Sequence, residues 1–367
     1  MKALIPRAYY SDPDVFRAEQ TAFFDGVWQL AGFASDLRQH DDYITVGIGQ
    51  QSVVIQNFKG ELHAFHNVCS HRLSRIRCEA QGNAPLRCQY HGWSYDQNGI
   101  PFSIPNRPMF ESADVGDPTL LALSRWQVDT CNDLVFVRRS QQGPSLREFL
   151  QGAAPYLDQV GAAIAEKLGT TRMLVDANWK IVVENTLESY HASAVHSQTL
   201  LKLGVHGLDF RFDGPHSVHT SKPREVMNRT KEALYHAFRS RPMVSDAYIH
   251  QLVFPNATLA VSYGMTFNIN QIRAVGPRET EIIVHVFMTK LGELEPREGA
   301  LVRAMRPAIV ELTNKIFLED KAICEQVQLG MAEASRDAIL SREEERIFRF
   351  QESYMQFMDR QSQGATV

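Results

Sequence analysis

Cys69-Ser70-His71 and Cys88-Gln89-Tyr90-His91, separated by sixteen residues, restrict the fold of this 367-residue chain more than any other feature. Two thiolates and two imidazoles at such spacing form a metal-ligand set. A Cys2His2 zinc site takes the same donors, but zinc fingers pair Cys with Cys and His with His. Here each loop presents one of each. A [2Fe-2S] cluster with two cysteines on one iron and two histidines on the other needs that mixture from two facing loops. The fold must therefore bring the ends of two strand hairpins side by side. Arg72, Arg75, Gly92 and Trp93 flank the ligands. Glycine lets backbone amides approach the cluster sulfurs, and Trp93 would screen them from water. Imidazole ligands raise the reduction potential, so such a cluster accepts an electron from a flavin or ferredoxin donor and passes it on. It has no open coordination site, so substrate must react elsewhere.

A second centre is suggested by Glu184 to His196, which reads Glu-Asn-Thr-Leu-Glu-Ser-Tyr-His-Ala-Ser-Ala-Val-His. Asn178 can cap a helix that starts at about Trp179, whose apolar face includes Ile181, Val182 and Val183. Glu188 and His191 then share one face. His196 lies five residues beyond His191, which is awkward for a regular helix and suits a helix end or a π-bulge. Two histidines and a carboxylate from elsewhere make the facial set that suits non-heme iron(II). Two polar residues in a partly buried helix would give the same pattern, so the stretch alone decides nothing.

Length allows two domains, and 44% hydrophobic with 22% charged residues is ordinary for a globular chain. A net charge of -4 gives no sign of a nucleic-acid partner. Met1 to Asp14 lacks a signal-peptide pattern and no apolar run could span a bilayer, so no membrane association and a cytoplasmic location with reduced cysteines are the expectation. Ser11-Asp12-Pro13 opens a helix expected through about Trp28. Strands are expected at Tyr43–Ile48, Ser52–Phe58, Glu61–Asn67 and Leu134–Arg138, with Lys59-Gly60 as a tight turn. A helix is expected from Ser145 to about Lys167, irregular chain from Leu200 to Arg241, and strands at Ile249–Phe254, Thr258–Tyr263, Phe267–Val275 and Thr280–Thr289. Helices close the chain at Pro296–Ala332 and Arg342–Met358. The class is α+β: a β-rich unit, then an antiparallel sheet flanked by helices. Residues 1–40 are assigned as a helical segment of the second domain, 41–142 as the cluster domain and 143–367 as the second domain.

The joint occurrence, in order, of Cys-Ser-His-Arg, Cys-Gln-Tyr-His-Gly-Trp-Ser-Tyr, Asn-Trp-Lys, Glu-Asn, an acid, Tyr-His and a His five further on resembles the Rieske-type oxygenases, specifically the terminal-oxygenase α subunit of the ring-hydroxylating family. The resemblance covers nearly the whole chain. It implies an N-terminal Rieske domain, with Cys69, His71, Cys88 and His91 as cluster ligands, joined to a helix-grip-like catalytic domain. It implies His191 and His196 as ligands of a mononuclear Fe(II). The family's third ligand is an Asp on a late helix, where Phe317-Leu318-Glu319-Asp320 places Asp320, with Glu319 as the fallback. Asn185 matches a family residue close to the iron without binding it. Glu188 matches the acid that links the cluster histidine of one subunit to an iron-ligand histidine of its neighbour. The usual residue there is Asp, and Glu is similar to the carnitine and glycine-betaine oxygenase branch. Leu73 departs from the small residue common in the first loop.

The same resemblance implies a homotrimer and electrons from NAD(P)H through a separate flavin/iron-sulfur reductase, directly or through a ferredoxin. Gly47-Ile48-Gly49 is a poor dinucleotide fingerprint, with no helix after it. Hydroxylation or oxidative demethylation of a quaternary ammonium compound is the expected activity, and hydroxylation or dihydroxylation of a small aromatic compound or acid the alternative. Two readings of other classes are a Rieske electron-transfer protein without oxygenase activity and a zinc hydrolase using His191, His196 and Asp320. Tyr248, Phe254, Tyr263 and Phe267 are candidate pocket aromatics. Arg273 or Lys222 could hold a carboxylate, and His206, His216 and His219 read as loop residues.

Overall fold

The structure, a computed structural model, describes residues 1–111, 113–200, 209–221, 247–291 and 295–362, with isolated positions between 222 and 246. It forms two compact units, Gln20–Phe149 and Met1–Glu19 together with Leu150 onward.

In the Gln20–Phe149 unit, short apolar runs become an antiparallel sheet. Among the described residues it has seven strands, in the order Gln29–Phe33, Leu134–Arg138, Arg125–Cys131, Glu61–His66, Gln51–Phe58, Asp42–Ile48 and Gln81–Asn83. Val53, Val54 and Ile55 are fully buried at its centre. Lys59 and Gly60 both take positive φ (55° and 99°), the backbone that a two-residue hairpin needs to match strand twist. The expected boundaries at residues 40 and 142 move outward. Gln29–Phe33 is buried along its whole length and pairs with Leu134–Arg138, which ties residues 20–40 to the cluster unit. At the other end, the Trp28 indole N–H donates to the Pro144 carbonyl (3.1 Å) and Arg138 donates to the same oxygen (2.9 Å). The first helix is also shorter than expected, running Pro13–Glu19 before a π-turn over Gln20–Asp25.

The second unit is built on another antiparallel sheet. Among the described residues its seven strands run Ile164–Val175, Glu279–Thr289, Thr266–Gly276, Ala257–Ser262, Tyr248–Val253, His216–Ser221 and Asp209–Asp213. Helices Ala153–Ala163, Trp179–Thr186, Pro296–Glu333 and Glu345–Ser362 belong to the same unit, which makes the chain α+β. The helix expected through Lys167 stops at Ala163. From Ile164 the backbone finds partners on Glu279–Thr289 instead, a pairing more than a hundred residues away that local periodicity cannot reveal. Likewise the stretch expected to be irregular carries the hairpin Asp209–Asp213 and His216–Ser221. The long helix starts as expected: Pro296 occupies its first turn, and Glu295 and Glu298 close a capping box. Among the described residues no helix is long and apolar enough to cross a membrane.

The Trp179–Thr186 helix is held from behind by buried polar groups. Lys180 and Glu19 are both fully buried and form an ion pair. Glu19 also accepts from the Trp179 indole (2.8 Å) and the Tyr354 hydroxyl (2.6 Å), while Lys180 donates to the Tyr9 carbonyl (3.1 Å). Four residues on, Glu184 accepts from Tyr10 (2.7 Å) and Gln351 (2.9 Å). Buried charges are tolerated when paired and hydrogen-bonded on all sides. Together these bonds lock the N-terminal segment and the last helix to the helix that leads into the second centre.

Candidate metal centres

The loops around Cys69 and Cys88 close in the same way despite their different ligand spacing. Cys69 N–H donates to the Ser74 carbonyl (2.8 Å) and Leu73 N–H returns to the Cys69 carbonyl (3.1 Å). In the other loop Cys88 N–H donates to Trp93 (2.8 Å) and Gly92 N–H to Cys88 (2.9 Å). The turning residue, four after each cysteine, takes positive φ: 58° at Leu73 and 74° at Gly92. Glycine enters that region freely, and a Cβ at Gly92 would meet the Arg87 guanidinium at 2.7 Å. Leu73 keeps the turn with its side chain 75% exposed. Both thiols are buried within an apolar cluster that includes Val54, Phe65, Ile76 and Leu86, whereas His71 is half-buried and His91 exposed. The sulfurs thus face inward and the imidazoles outward.

Tyr95 anchors this arrangement. Its hydroxyl accepts from Ser70 N–H (3.1 Å) and lies 3.0 Å from Cys69 Sγ, to which it would donate were that sulfur a thiolate. The His71 ring stacks on Trp93 (5.0 Å between centroids, 4° between planes) and lies 4.6 Å from the His91 ring. Trp93 therefore fixes the orientation of the His71 ring. His71 Nδ1 is shut off from solvent without a hydrogen-bond partner among the described residues. An orphaned ring nitrogen beside two buried thiols and a second imidazole is the donor set that a [2Fe-2S] group with mixed ligands takes.

In the second unit, Asn178 Oδ1 caps the Trp179–Thr186 helix by accepting from Lys180 N–H (3.0 Å). That helix ends before Glu188. A separate turn of helix, Ala192–Val195, then starts with His191 at its N-cap and ends with His196 at its C-cap. The five-residue spacing is thus accommodated by a helix end and not by a π-bulge. His191, His196 and Asp320 each offer a ligand atom, all within 4.8 Å of one another. Asp320 Oδ1 lies 2.9 Å from His196 Nε2, 3.5 Å from His191 Nε2, and accepts from Asn185 Nδ2 at 2.8 Å.

The opposite ring nitrogens are held by two glutamates. His191 Nδ1 bonds Glu188 Oε1, and Glu188 Oε2 also accepts the His191 backbone N–H (3.1 Å). His196 Nδ1 bonds Glu319 Oε2 at 2.8 Å, and the Thr199 hydroxyl donates to that same oxygen (2.6 Å). Each imidazole is gripped through Nδ1, leaving Nε2 toward Asp320, the orientation that metal-binding histidines need. Of the two adjacent acids, Asp320 reaches both Nε2 atoms and Glu319 reaches the far side of His196. Burial alone would push the Asp320 carboxyl up, but hydrogen bonds from His191 and His196 hold it down at about 2. Burial opposes charge on His191 too, yet Asp320 and Glu188 raise it to about 9. A divalent cation would displace the imidazole protons from this anionic pocket. Glu319→Ala is expected to weaken iron binding about 10- to 100-fold while the cluster's visible spectrum is kept. Iron titration of the variant checks this, and unchanged affinity would remove Glu319 from any positioning role.

Asn185, Glu188, His191, His196 and Asp320 line a cavity of about 290 Å³. Tyr248 and Tyr263 contribute to its wall, as does Phe317, a residue not expected there. Phe267 and Phe254 are core residues, the latter packed on Phe350 and Phe357. Arg273 pairs with Glu281 (3.1 Å) and does not line the cavity. Lys222 and His206 lie outside the described residues. His216 and His219, expected in a loop, both stand on the strand His216–Ser221; His216 is buried and accepts from Phe254 N–H (3.1 Å), and His219 lines the cavity. His250, directly across from His219 in the strand register, also lines it and was not anticipated. Its signal was the strand alternation that puts Tyr248 and His250 on one face.

Residues 146–360 match the ring-hydroxylating alpha subunit catalytic domain, and residues 27–114 match the Rieske [2Fe-2S] domain. The glycine betaine monooxygenase oxygenase subunit of Chromohalobacter salexigens is 32% identical over 204 residues, 54% of this chain and 44% of that protein. The match thus spans less than half the length of that relative. The anthranilate 1,2-dioxygenase large subunit of Burkholderia cepacia is 26% identical over 89% of this chain and 83% of its own. Among solved structures, the quaternary ammonium Rieske monooxygenase CntA with L-carnitine aligns with a TM-score of 0.76 and 21% identity, covering 97% of this chain and 95% of that one. That likeness is one of fold.

Proposed function

Because the chain belongs to the ring-hydroxylating alpha subunit family and carries a Rieske [2Fe-2S] domain ahead of the catalytic domain, we propose that it is the terminal oxygenase of a multicomponent system acting on a quaternary ammonium compound. The observation that carries this reading is the convergence of His191, His196 and Asp320 on one cavity, each histidine backed by a glutamate. Those three residues would hold a ferrous ion, and Cys69, Cys88, His71 and His91 the cluster. When bound, the cluster supplies single electrons and the ferrous ion a place for oxygen to be activated, so that a substrate C–H bond is hydroxylated or a methyl group is lost as formaldehyde. Asn185 and Glu188 keep Asp320 and His191 in position. Tyr248, Tyr263 and Phe317 offer aromatic faces of the kind that attract a trimethylammonium group.

Glycine betaine and carnitine monooxygenase oxygenase subunits are among the relatives, which supports the substrate class. Electrons come from a separate NAD(P)H-dependent reductase, directly or through a ferredoxin. The reading extends to a cytoplasmic homotrimer in which Glu188 joins the His191 of one subunit to the cluster of the next. A solved quaternary ammonium Rieske monooxygenase of the same fold gives insight into inter-subunit electron transfer, which supports that extension.

The test is consumption of oxygen and NADH by the purified protein with a surrogate reductase, across betaines, carnitines, choline and aromatic acids, with product measured. Formaldehyde or hydroxylated product from a quaternary ammonium compound is the expected outcome. Hydroxylation of aromatic acids alone would transfer the protein to the anthranilate dioxygenase side of the family. Glu188→Gln is expected to keep both metals and slow single-turnover oxidation of the cluster. Loss of the cluster's spectrum in that variant would mean that Glu188 is structural.

A further inference from the structure

Arg346 is fully buried, and among the described residues its hydrogen bonds all go to neutral acceptors. It donates to Ser217 Oγ (3.0 Å), to the Ser217 and Leu187 carbonyls (3.3 and 3.4 Å), and to His250 Nδ1 (3.2 Å). A cation taken out of water without an opposing anion is costly. Burial lowers its pKa to about 9, which still leaves it charged at neutral pH.

The bond to His250 has a chemical consequence. Arginine can only donate, so His250 Nδ1 must accept and the ring must carry its proton on Nε2. Burial, and after it the Arg346 charge, hold the His250 pKa well below the ordinary value, so the ring stays neutral. His250 lines the cavity that His191, His196 and Asp320 share. That cavity is therefore offered an N–H donor with a fixed positive charge directly behind it. His219, across the strand register, and Tyr248 line the same wall. The Asp320 and Glu188 carboxylates also border the cavity, but Asp320 is engaged by His191, His196 and Asn185, and Glu188 by the His191 ring and backbone N–H.

We propose that Arg346 and His250 form the anion-recognising element of the cavity, with His250 donating to a carboxylate of the substrate. The inference rests on the oxygenase reading above and narrows it, from quaternary ammonium compounds in general to those that are zwitterions. Arg346 acts here as a positioning residue, and His250 as the group that touches the ligand.

The test compares three probes of similar size by anaerobic isothermal titration of the holoenzyme: glycine betaine, its carbon isostere 3,3-dimethylbutanoate, and choline. Both carboxylates are expected to bind at least about tenfold more tightly than choline. In His250→Phe that preference should disappear while choline binding is kept. His250→Gln, which retains an N–H donor, should restore part of it and guards against a Phe variant that does not fold. Choline binding as tightly as glycine betaine to the unmodified enzyme, failure of both carboxylates to bind, or an intact preference in His250→Phe would each overturn the proposal. If 3,3-dimethylbutanoate binds tightly and no quaternary ammonium compound is oxidised, the carboxylate site stands and the substrate class proposed above falls.

Discussion

Asp320→Ala is expected to lose the mononuclear iron and to fall to the background rate of substrate oxidation, with the cluster's visible spectrum unchanged. The reason is geometric. Asp320 Oδ1 faces the Nε2 atoms of both His191 and His196, and Asn185 is oriented on that same oxygen. Removing it leaves two imidazoles without an anionic partner between them, and a two-ligand site holds a dication poorly. The neighbouring Glu319 cannot substitute, because its carboxylate is already bonded to His196 Nδ1 and Thr199 on the far side of the ring. Metal analysis should therefore show iron at the level of the cluster alone. Full iron content with full activity in this variant would refute the assignment of Asp320 as a ligand.

Lys180→Ala is expected to produce the largest loss of stability among single changes near the site, about 3–5 kcal/mol. Glu19 would keep its bonds to Trp179 and Tyr354 but would face a fully buried environment with its cation gone. Since a domain is stable by only about 5–15 kcal/mol, such a loss takes much of the margin. The paired change Glu19→Gln with Lys180→Met removes both charges together and should cost less than Lys180→Ala alone. Denaturant unfolding followed by near-ultraviolet signals of Trp179 checks the order of the two variants. Equal destabilisation would mean that shape, and not charge, decides the site.

The parts of the molecule that were legible from sequence are those where chemistry and local order coincide. Cys69, His71, Cys88 and His91 fall in two short loops, where a ligand set would sit, and the apolar runs from Asp42 to His66 flank a Lys59-Gly60 turn. The helix after Asn178 was equally readable from its cap and apolar run. What escaped depends on distant partners. Gln29–Phe33 and Ile164–Val175 become strands only because Leu134–Arg138 and Glu279–Thr289 are there to receive them. Glu319 looks like any charge on a helix until His196 is placed beside it, and Arg346 looks like a surface arginine in an amphipathic helix. Their roles belong to the tertiary fold.

The two cysteine loops share one hydrogen-bond pattern, yet they are not equally relaxed. A left-handed backbone costs a residue with a Cβ roughly 1–2 kcal/mol, which Leu73 bears and Gly92 does not. Local opening is governed by such differences. The chain from Cys69 to Ser74 is thus the more strained of the two loops that would clasp the cluster, and the loop that begins at Cys88 the more relaxed.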